Sequence, residues 1–277
     1  MTIRRVTPMI NVDCRSDGWV ASGRSRESSV SAPGADREET GPLVWLRFAG
    51  DVTRPVPLDG LRWEYFADSV PWRRFRSRRG QAHLSGSYWA ATTGGHVVHE
   101  SRLELARLLL ADFDPDVVGI HAQPCRLETR LAGRQRRHVP DFLLLSADAT
   151  VTVVNVKPAD RLADAKVAAD LAWPGSLFTG HGWRYELWSG CDLVVLDNVR
   201  FLAGYRRREV VDDAAVDRAV AGVRDGEQLA VAEQRLAGSG PRWAPRPALL
   251  AGLWRGRLTT DLSRPLSGGS RLWRRTR

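Results

Sequence analysis

The chain predicts an α/β fold with a mixed sheet flanked by helices, and three observations carry that reading. Short apolar runs of strand length alternate with amphipathic stretches of helical period from residue 43 onward. The stretch "HVPDFLLLSADATVTVVNVKP", residues 138–158, sets two apolar runs on either side of a three-residue polar break and so reads as a β-hairpin. Ahead of it, "HVVHESRLELARLLLADF" repeats apolar residues at helical spacing. With 277 residues, 43% of them hydrophobic, the chain can bury an ordinary core.

Taken in order, residues 12–42 are rich in Ser, Gly, Arg and Glu without periodicity, and residues 1–42 are expected to be a flexible arm. "LVWLRFAG" supplies a first short strand. "PWRRFRSRRG" places five arginines between Arg73 and Arg79 with Trp72 and Phe75 interleaved, a composition suited to phosphate contacts and base stacking or, equally, to a solvated basic loop. After the loop "TTGG", Leu103, Ala106, Leu110 and Phe113 mark one face of a helix. Glu100 falls one turn ahead of Leu103 on that face, where a first-turn acid also compensates the helix dipole, and Glu104 is rotated off it toward solvent. "DPDVVGIHAQPCRLETRL" reads as a turn and a strand, and "GRQRRH" as a basic turn leading into the hairpin. "RLADAKVAADLAW" predicts a helix, and "GWRYELWS" and "CDLVVLDNVRFLAG" predict strands. Residues 205–240 read as a helical connector ending in the linker "GSGPRWAPRP". Residues 241–277, with nine arginines and one acid, Asp261, read as a small basic module, helical and of winged-helix type, or as a basic tail. The main domain is thus expected at 43–204.

The hairpin makes a geometric prediction. A three-residue loop centred on Asp148 sets Asp141 opposite Asn155. Side chains alternate along a strand, so Lys157 shares their face, one diagonal step from Asp141. An acid, an amide and an ammonium therefore converge at one end of two apolar strands.

Composition narrows the setting. No apolar run approaches the roughly 18–20 residues of a membrane span, and the N-terminus lacks the apolar segment of a signal peptide, so a cytoplasmic location without membrane contact is expected. Cys14, Cys125 and Cys191 lie far apart, which argues against a disulfide framework or a zinc ribbon. Forty-one Lys and Arg against 32 Asp and Glu give a net charge of +9, a balance that favours polyanionic partners, nucleic acid first. Only Lys157 and Lys166 are lysine. Where arginine is the habitual cation, a lysine suggests a use for a compact, strongly hydrated charge.

Cutting a phosphodiester requires neutralising the phosphate, generating hydroxide near neutral pH and stabilising the leaving oxyanion, which hard divalent cations held by carboxylates accomplish. The helix "ESRLELARLLL", then "AQP", then "VPDFLLLSADATVTVVNVKP" resembles, in that order, the PD-(D/E)xK nuclease fold, a restriction-endonuclease-like architecture, and more narrowly the TnsA family of transposase endonuclease subunits. The similarity runs from "SGSYWAATTG" through "NVRFLAGYRR", with a weaker match at "LLAGLWRGRL", and leaves out the N-terminal arm.

The resemblance implies a catalytic set of Glu100 as the helix acid, Asp141 as the central metal ligand and Lys157 as the signature lysine. Asn155 stands where the wider fold has Asp or Glu and where the TnsA type accepts glutamine, and the carbonyl of Val156 is the further ligand. Gln123 and His138 are read as supporting or phosphate-contacting groups or, equally, as groups that satisfy local backbone, and Arg73, Arg74 and Arg76 are the candidate DNA contacts of the basic run. The implied cofactor is Mg2+, for which Mn2+ can substitute. The implied partners are DNA at transposon ends, a DDE-type transposase subunit that cuts the other strand, and an ATPase regulator. Because Asn155 brings no negative charge, a catalytically silent DNA-binding adaptor is an alternative expectation, as is a standalone repair or restriction nuclease.

Overall fold

A computed structural model of the chain describes residues 41–73, 85–238 and 244–275. The predicted arm, except its last two residues, and Arg74 and Arg76 lie outside the described residues. The described residues belong to one compact unit of mixed α/β structure.

Its centre is a four-stranded sheet in the order β10-β9-β8-β5, made of β5 (Val117–Ala122), β8 (Phe142–Ser146), β9 (Val151–Val156) and β10 (Arg184–Trp188). β8 and β9 pair antiparallel with Phe142 opposite Val154 and Leu143 opposite Val153, the register set by a turn around Asp148, whose carboxylate accepts the Thr150 N–H. β10 lies parallel to β9, which requires a crossover. α2 (Ala159–Leu162) and α3 (Ala165–Gly180) supply it, the latter capped by the Asp164 carboxylate on the N–H groups of Lys166 and Val167.

Alternation along these strands feeds two cores. Phe142, Leu144, Val154 and Val156 face a cluster shared with Leu108 and Leu109 of α1 (Arg102–Phe113) and with Val199 and Leu202 of α4 (Leu193–Leu202). Leu143, Val151 and Val153 face Phe178 of α3 together with Val44, Leu46 and Leu127. The last three belong to a second sheet, β2-β1-β6-β7, made of β1 (Leu43–Arg47), β2 (Thr53–Pro57), β6 (Arg126–Leu131) and β7 (Arg134–His138). Full burial of side chains such as Phe142 and Phe178 contributes roughly 1.5–3 kcal/mol each, so both faces of β8–β9 are anchored and the strand ends cannot slip without exposing core. A hairpin of β3 (Gly86–Ala90) and β4 (Gly95–His99) leads into α1.

Three local expectations are corrected. "GRQRRH" is not a turn: Arg134–His138 form β7, paired with β6 across a turn at Ala132 and Gly133, both at positive φ. "CDLVVLDNVRFLAG" is not a strand: the Asp192 carboxylate caps the N–H groups of Val194 and Val195, and Leu196, Val199 and Leu202 recur at helical spacing, which outweighs the β-branched Val194–Val195 pair. The connector is not one helix but α5 (Asp213–Gly222), β11 (Glu227–Gln228) and α6 (Leu229–Ala237), interrupted at Gly226 with φ 82°. α7 (Pro245–Trp254), β12 (Leu258–Thr259) and β13 (Arg271–Arg274) follow, and β11-β13-β12 form a small sheet. Ala219, Leu229, Leu249, Leu253 and Leu272 belong to the same hydrophobic cluster as α1 and α4, so the core runs continuously across residues 204 and 240. Among the described residues no helix is long and apolar enough to cross a membrane. Cys125 and Cys191 are free thiols, and burial pushes Cys125 up to about 12.

Candidate functional site

Asp141 sits immediately before β8 and is fixed from three directions. Its N–H donates to the Val154 carbonyl at 3.0 Å, its carbonyl accepts the Gln123 N–H at 2.8 Å, and its Oδ2 accepts the Val156 N–H at 2.7 Å. Asp141 therefore bonds both residues that flank Asn155, the neighbourhood that the hairpin geometry predicts. Lys157 follows β9 directly, its N–H held by the Trp188 carbonyl at 2.9 Å, so the strand end is clamped from β10 as well.

Of the acids of the "ESRLE" segment, Glu104 does not take the place expected for it, while Glu100 stays close enough to Asp141 to act on its charge. Ser101 is the N-cap of α1, its Oγ accepting the Glu104 N–H at 3.0 Å. Glu104 reaches back, its Oε2 accepting the Glu100 N–H at 2.6 Å and its Oε1 accepting the Ser101 hydroxyl at 3.1 Å. This is a capping box drawn back by one residue. Glu104, expected in solvent, is buried at 9% exposure. Glu100, expected as the helix acid, lies one residue outside the cap, where its Oε2 accepts from Arg73 Nη1 at 2.6 Å. The Ser-x-x-Glu signature of "SRLE" could have found this phase in the sequence, because it starts the helix at Arg102 and brings Glu104 back over the first turn.

Burial lifts the Glu104 carboxyl above its ordinary range, and the negative charges of Asp141 and Glu100 lift it further against the bonds from Glu100 and Ser101. Asp141 is raised too, first by burial and then by Glu100, while the Val156 N–H, Lys157 and Arg73 pull it down. The Asp141 charge thus opposes ionisation of the buried Glu104, and Glu100 opposes that of Asp141, with Lys157 and Arg73 supplying the local positive potential.

Gln123 is buried at 3% exposure and adopts φ 45°, a conformation that costs a non-glycine residue of order 1–3 kcal/mol. Its N–H holds Asp141, its carbonyl accepts the Trp72 N–H at 2.9 Å and its Oε1 accepts the Arg73 N–H at 3.1 Å. Gln123 therefore staples the segment carrying Arg73 to the backbone of Asp141. Trp72, read as a stacking residue for bases, is engaged internally, with the Arg126 guanidinium 4.6 Å from its ring centroid.

His138, at the end of β7, lies edge-on to Trp173 with centroids 6.0 Å apart, and its Nε2 is 2.7 Å from Asn155 Oδ1. Burial, with Lys157 and Arg73 nearby, pushes the imidazole down to about 4, so it is neutral at pH 7. Asn155 is 1% exposed and its Nδ2 has no hydrogen-bond partner among the described residues.

Among the described residues, no three or more His, Cys, Asp and Glu side chains form a ready metal cluster. The oxygen donors present nonetheless suit a hard divalent cation in kind. Asp141 and Glu104 offer carboxylates whose mutual repulsion a cation relieves, with the Asn155 amide oxygen and the Val156 carbonyl in the same stretch of chain. Neither a protein-family model nor a curated protein matches the chain.

Proposed function

We propose that this protein is a metal-dependent DNA endonuclease of the restriction-endonuclease-like, PD-(D/E)xK type, and within it a TnsA-like subunit that hydrolyses one strand at transposon ends beside a DDE-type partner. The observation that carries the reading is the meeting of two carboxylates beside Lys157: Asp141, bonded to the strand end at Val156, and the buried Glu104 of the first turn of α1, whose ionisation the Asp141 charge opposes. Such an arrangement raises the free energy of the unliganded acid pair and is the usual mark of a functional site.

In this reading Asp141 and Glu104 hold Mg2+, or Mn2+ in its place, with Asn155 and the Val156 carbonyl as further oxygen donors. When bound, the cation neutralises the phosphate and lowers the pKa of an attacking water. Asp141 is kept in place by its three backbone bonds, so its carboxylate needs no reorganisation during the reaction. Lys157 donates to the attacking water or to a phosphate oxygen, as a compact charge on a clamped strand end can. Arg73 leaves Glu100 for a non-bridging phosphate oxygen when DNA arrives, its backbone staying with Gln123. Glu100 becomes the resting partner of that arginine rather than a metal ligand.

The order α5, β11, α6, α7, β12, β13 and the sheet order β11-β13-β12 support a winged-helix reading of the C-terminal residues. α7, the third helix of that arrangement, is buried from Ala248 to Trp254. We assign the module a supporting role for the nuclease unit and, through its outer surface, contact with the DDE-type subunit or an ATPase regulator, rather than groove reading by α7.

Strand cleavage of element-end DNA with Mg2+ and the companion transposase tests the reading. Asp141→Ala and Lys157→Ala are expected to abolish cleavage, and full retention by either sinks the mechanism. A second reading, a silent DNA-binding adaptor, is favoured by the engagement of Asn155 Oδ1 with His138. Calorimetric titration with Mg2+ separates the two, since a site lost in Asp141→Ala counts against the adaptor.

A further inference from the structure

Asn155 presents a contradiction that its neighbours resolve. It is an amide at 1% exposure whose oxygen accepts from His138 Nε2 at 2.7 Å, while its two N–H donors have no partner among the described residues. An unsatisfied buried donor costs about 1–3 kcal/mol. The cost is avoidable within the same pair of side chains. A neutral imidazole carries one N–H and one lone pair, and either nitrogen can hold the proton. With the proton on Nε2, the ring donates to Asn155 Oδ1 and orphans Nδ2. With the proton on Nδ1, the Nε2 lone pair can accept from Asn155 Nδ2, and the amide, whose terminal torsion is roughly two-fold, inverts at little torsional cost. That second arrangement satisfies Nδ2 but leaves Oδ1 without a donor until a cation takes it, so the first arrangement holds in the unliganded site and a cation favours the second. Both arrangements leave His138 uncharged, in keeping with its burial and the cations beside it.

We propose that His138 is a positioning residue whose tautomer decides whether the amide oxygen of Asn155 is held by the imidazole or released as a neutral ligand for a divalent cation at Asp141. The inference rests on the endonuclease reading and deepens it. The proton leaves Nε2 and appears on Nδ1 through solvent, with no net proton taken up or lost. Asp141 holds the residues on either side of Asn155, Val154 and Val156, so the backbone stays fixed while the amide inverts. Trp173 holds the imidazole edge-on, which fixes the ring while leaving its proton free to change nitrogen. A site built this way needs no carboxylate at position 155. It is ligand-competent in one tautomer and closed in the other.

The test is Mg2+ titration of the full chain, read by long-range proton–nitrogen NMR of the histidine rings and by calorimetry. The expected result is an Nε2–H tautomer of His138 without Mg2+ and an Nδ1–H tautomer at saturation. His138→Phe, which keeps a ring against Trp173, should weaken Mg2+ binding by about 10- to 100-fold, and His138→Gln, which can both donate and accept, should recover part of it. Unchanged His138 nitrogens at saturation, or wild-type Mg2+ affinity in His138→Phe, overturns the inference. Loss of Mg2+ binding in Asp141→Ala alongside unchanged binding in His138→Phe leaves the endonuclease reading standing and removes only this role. Absence of Mg2+ binding in the wild-type chain removes both.

Discussion

The end of β8–β9 and the C-terminal helices treat charge in opposite ways. Around α5 to β13, arginines that look like a basic patch in the sequence are matched within the fold: Arg246 pairs with Glu233, Arg255 with Asp213, Arg257 with Asp217 and Arg274 with Asp225. The acids come from residues 205–240, so connector and basic module neutralise each other. At the hairpin end, Glu100, Glu104 and Asp141 set like charges against one another, and a buried amide keeps a donor with no partner among the described residues. Net charge therefore overstates the unpaired positive charge of the C-terminal region. Opposed charge singles out the hairpin end.

The largest test of this contrast is chemical. Removing Asp141 should lower the cleavage rate by about 10³-fold or more, while Arg257→Ala, which breaks an exposed pair on the C-terminal side, should leave the rate unchanged. A single-turnover assay checks both, and equal losses would erase the distinction between the regions.

The next effect concerns stability on the satisfied side. Asn198 is buried on α4 and spends its whole amide on the chain after β12: Nδ2 donates to the carbonyls of Leu262 and Arg264, and Oδ1 accepts the Leu266 N–H. Asn198→Ala should destabilise by about 2–3 kcal/mol, three lost bonds at roughly 1 kcal/mol each, measured as a lower denaturation midpoint. Hydrogen exchange should rise at Leu266, and a midpoint within error of wild type would show that this segment is not pinned from α4.

On the frustrated side the sign reverses. Glu104 and Asp141 have pKa values raised in the fold, so the folded state binds protons more readily than the unfolded one, and their contribution to stability improves as pH falls toward the raised values. Glu104→Gln keeps the capping acceptor and removes a charge, so the melting temperature at pH 7 should rise by a few degrees. The gain should shrink at acidic pH, where wild-type Glu104 is itself neutral. A loss of stability at pH 7 would mean that the acid is satisfied rather than strained.

The unequal legibility of these features has physical reasons. The Asp141–Asn155 neighbourhood follows from a loop length and a two-residue period, quantities that local chain geometry fixes. The identity of the buried acid does not follow from apolar periodicity. It depends on which residue caps α1, and reading the helix stripe alone put Glu100 inside and Glu104 outside. α4 was hidden for a related reason, since Val194 and Val195 carry a strand propensity that the Asp192 cap and tertiary packing override. The ion pairs that silence the C-terminal arginines join residues as far apart as Arg255 and Asp213, and no local pattern announces them.

The smallest expected effect distinguishes two arginines that are both ion-paired and both partly exposed. Arg73 is held to Glu100, but its backbone is bound through Gln123 to Asp141, so releasing its side chain keeps it at the site. Arg257 is held to Asp217, far in sequence from every residue of the acid site. If Arg73 exchanges Glu100 for a phosphate, Arg73→Ala should reduce the slope of log affinity for DNA against log salt by about 1, and Arg257→Ala should not change it. Fluorescence anisotropy over a salt series, with Ca2+ in place of Mg2+ to prevent turnover, measures both slopes. Identical slopes for wild type and Arg73→Ala would leave the Arg73–Glu100 pair as a surface salt bridge worth no more than about 1 kcal/mol, and would remove Arg73 from phosphate recognition.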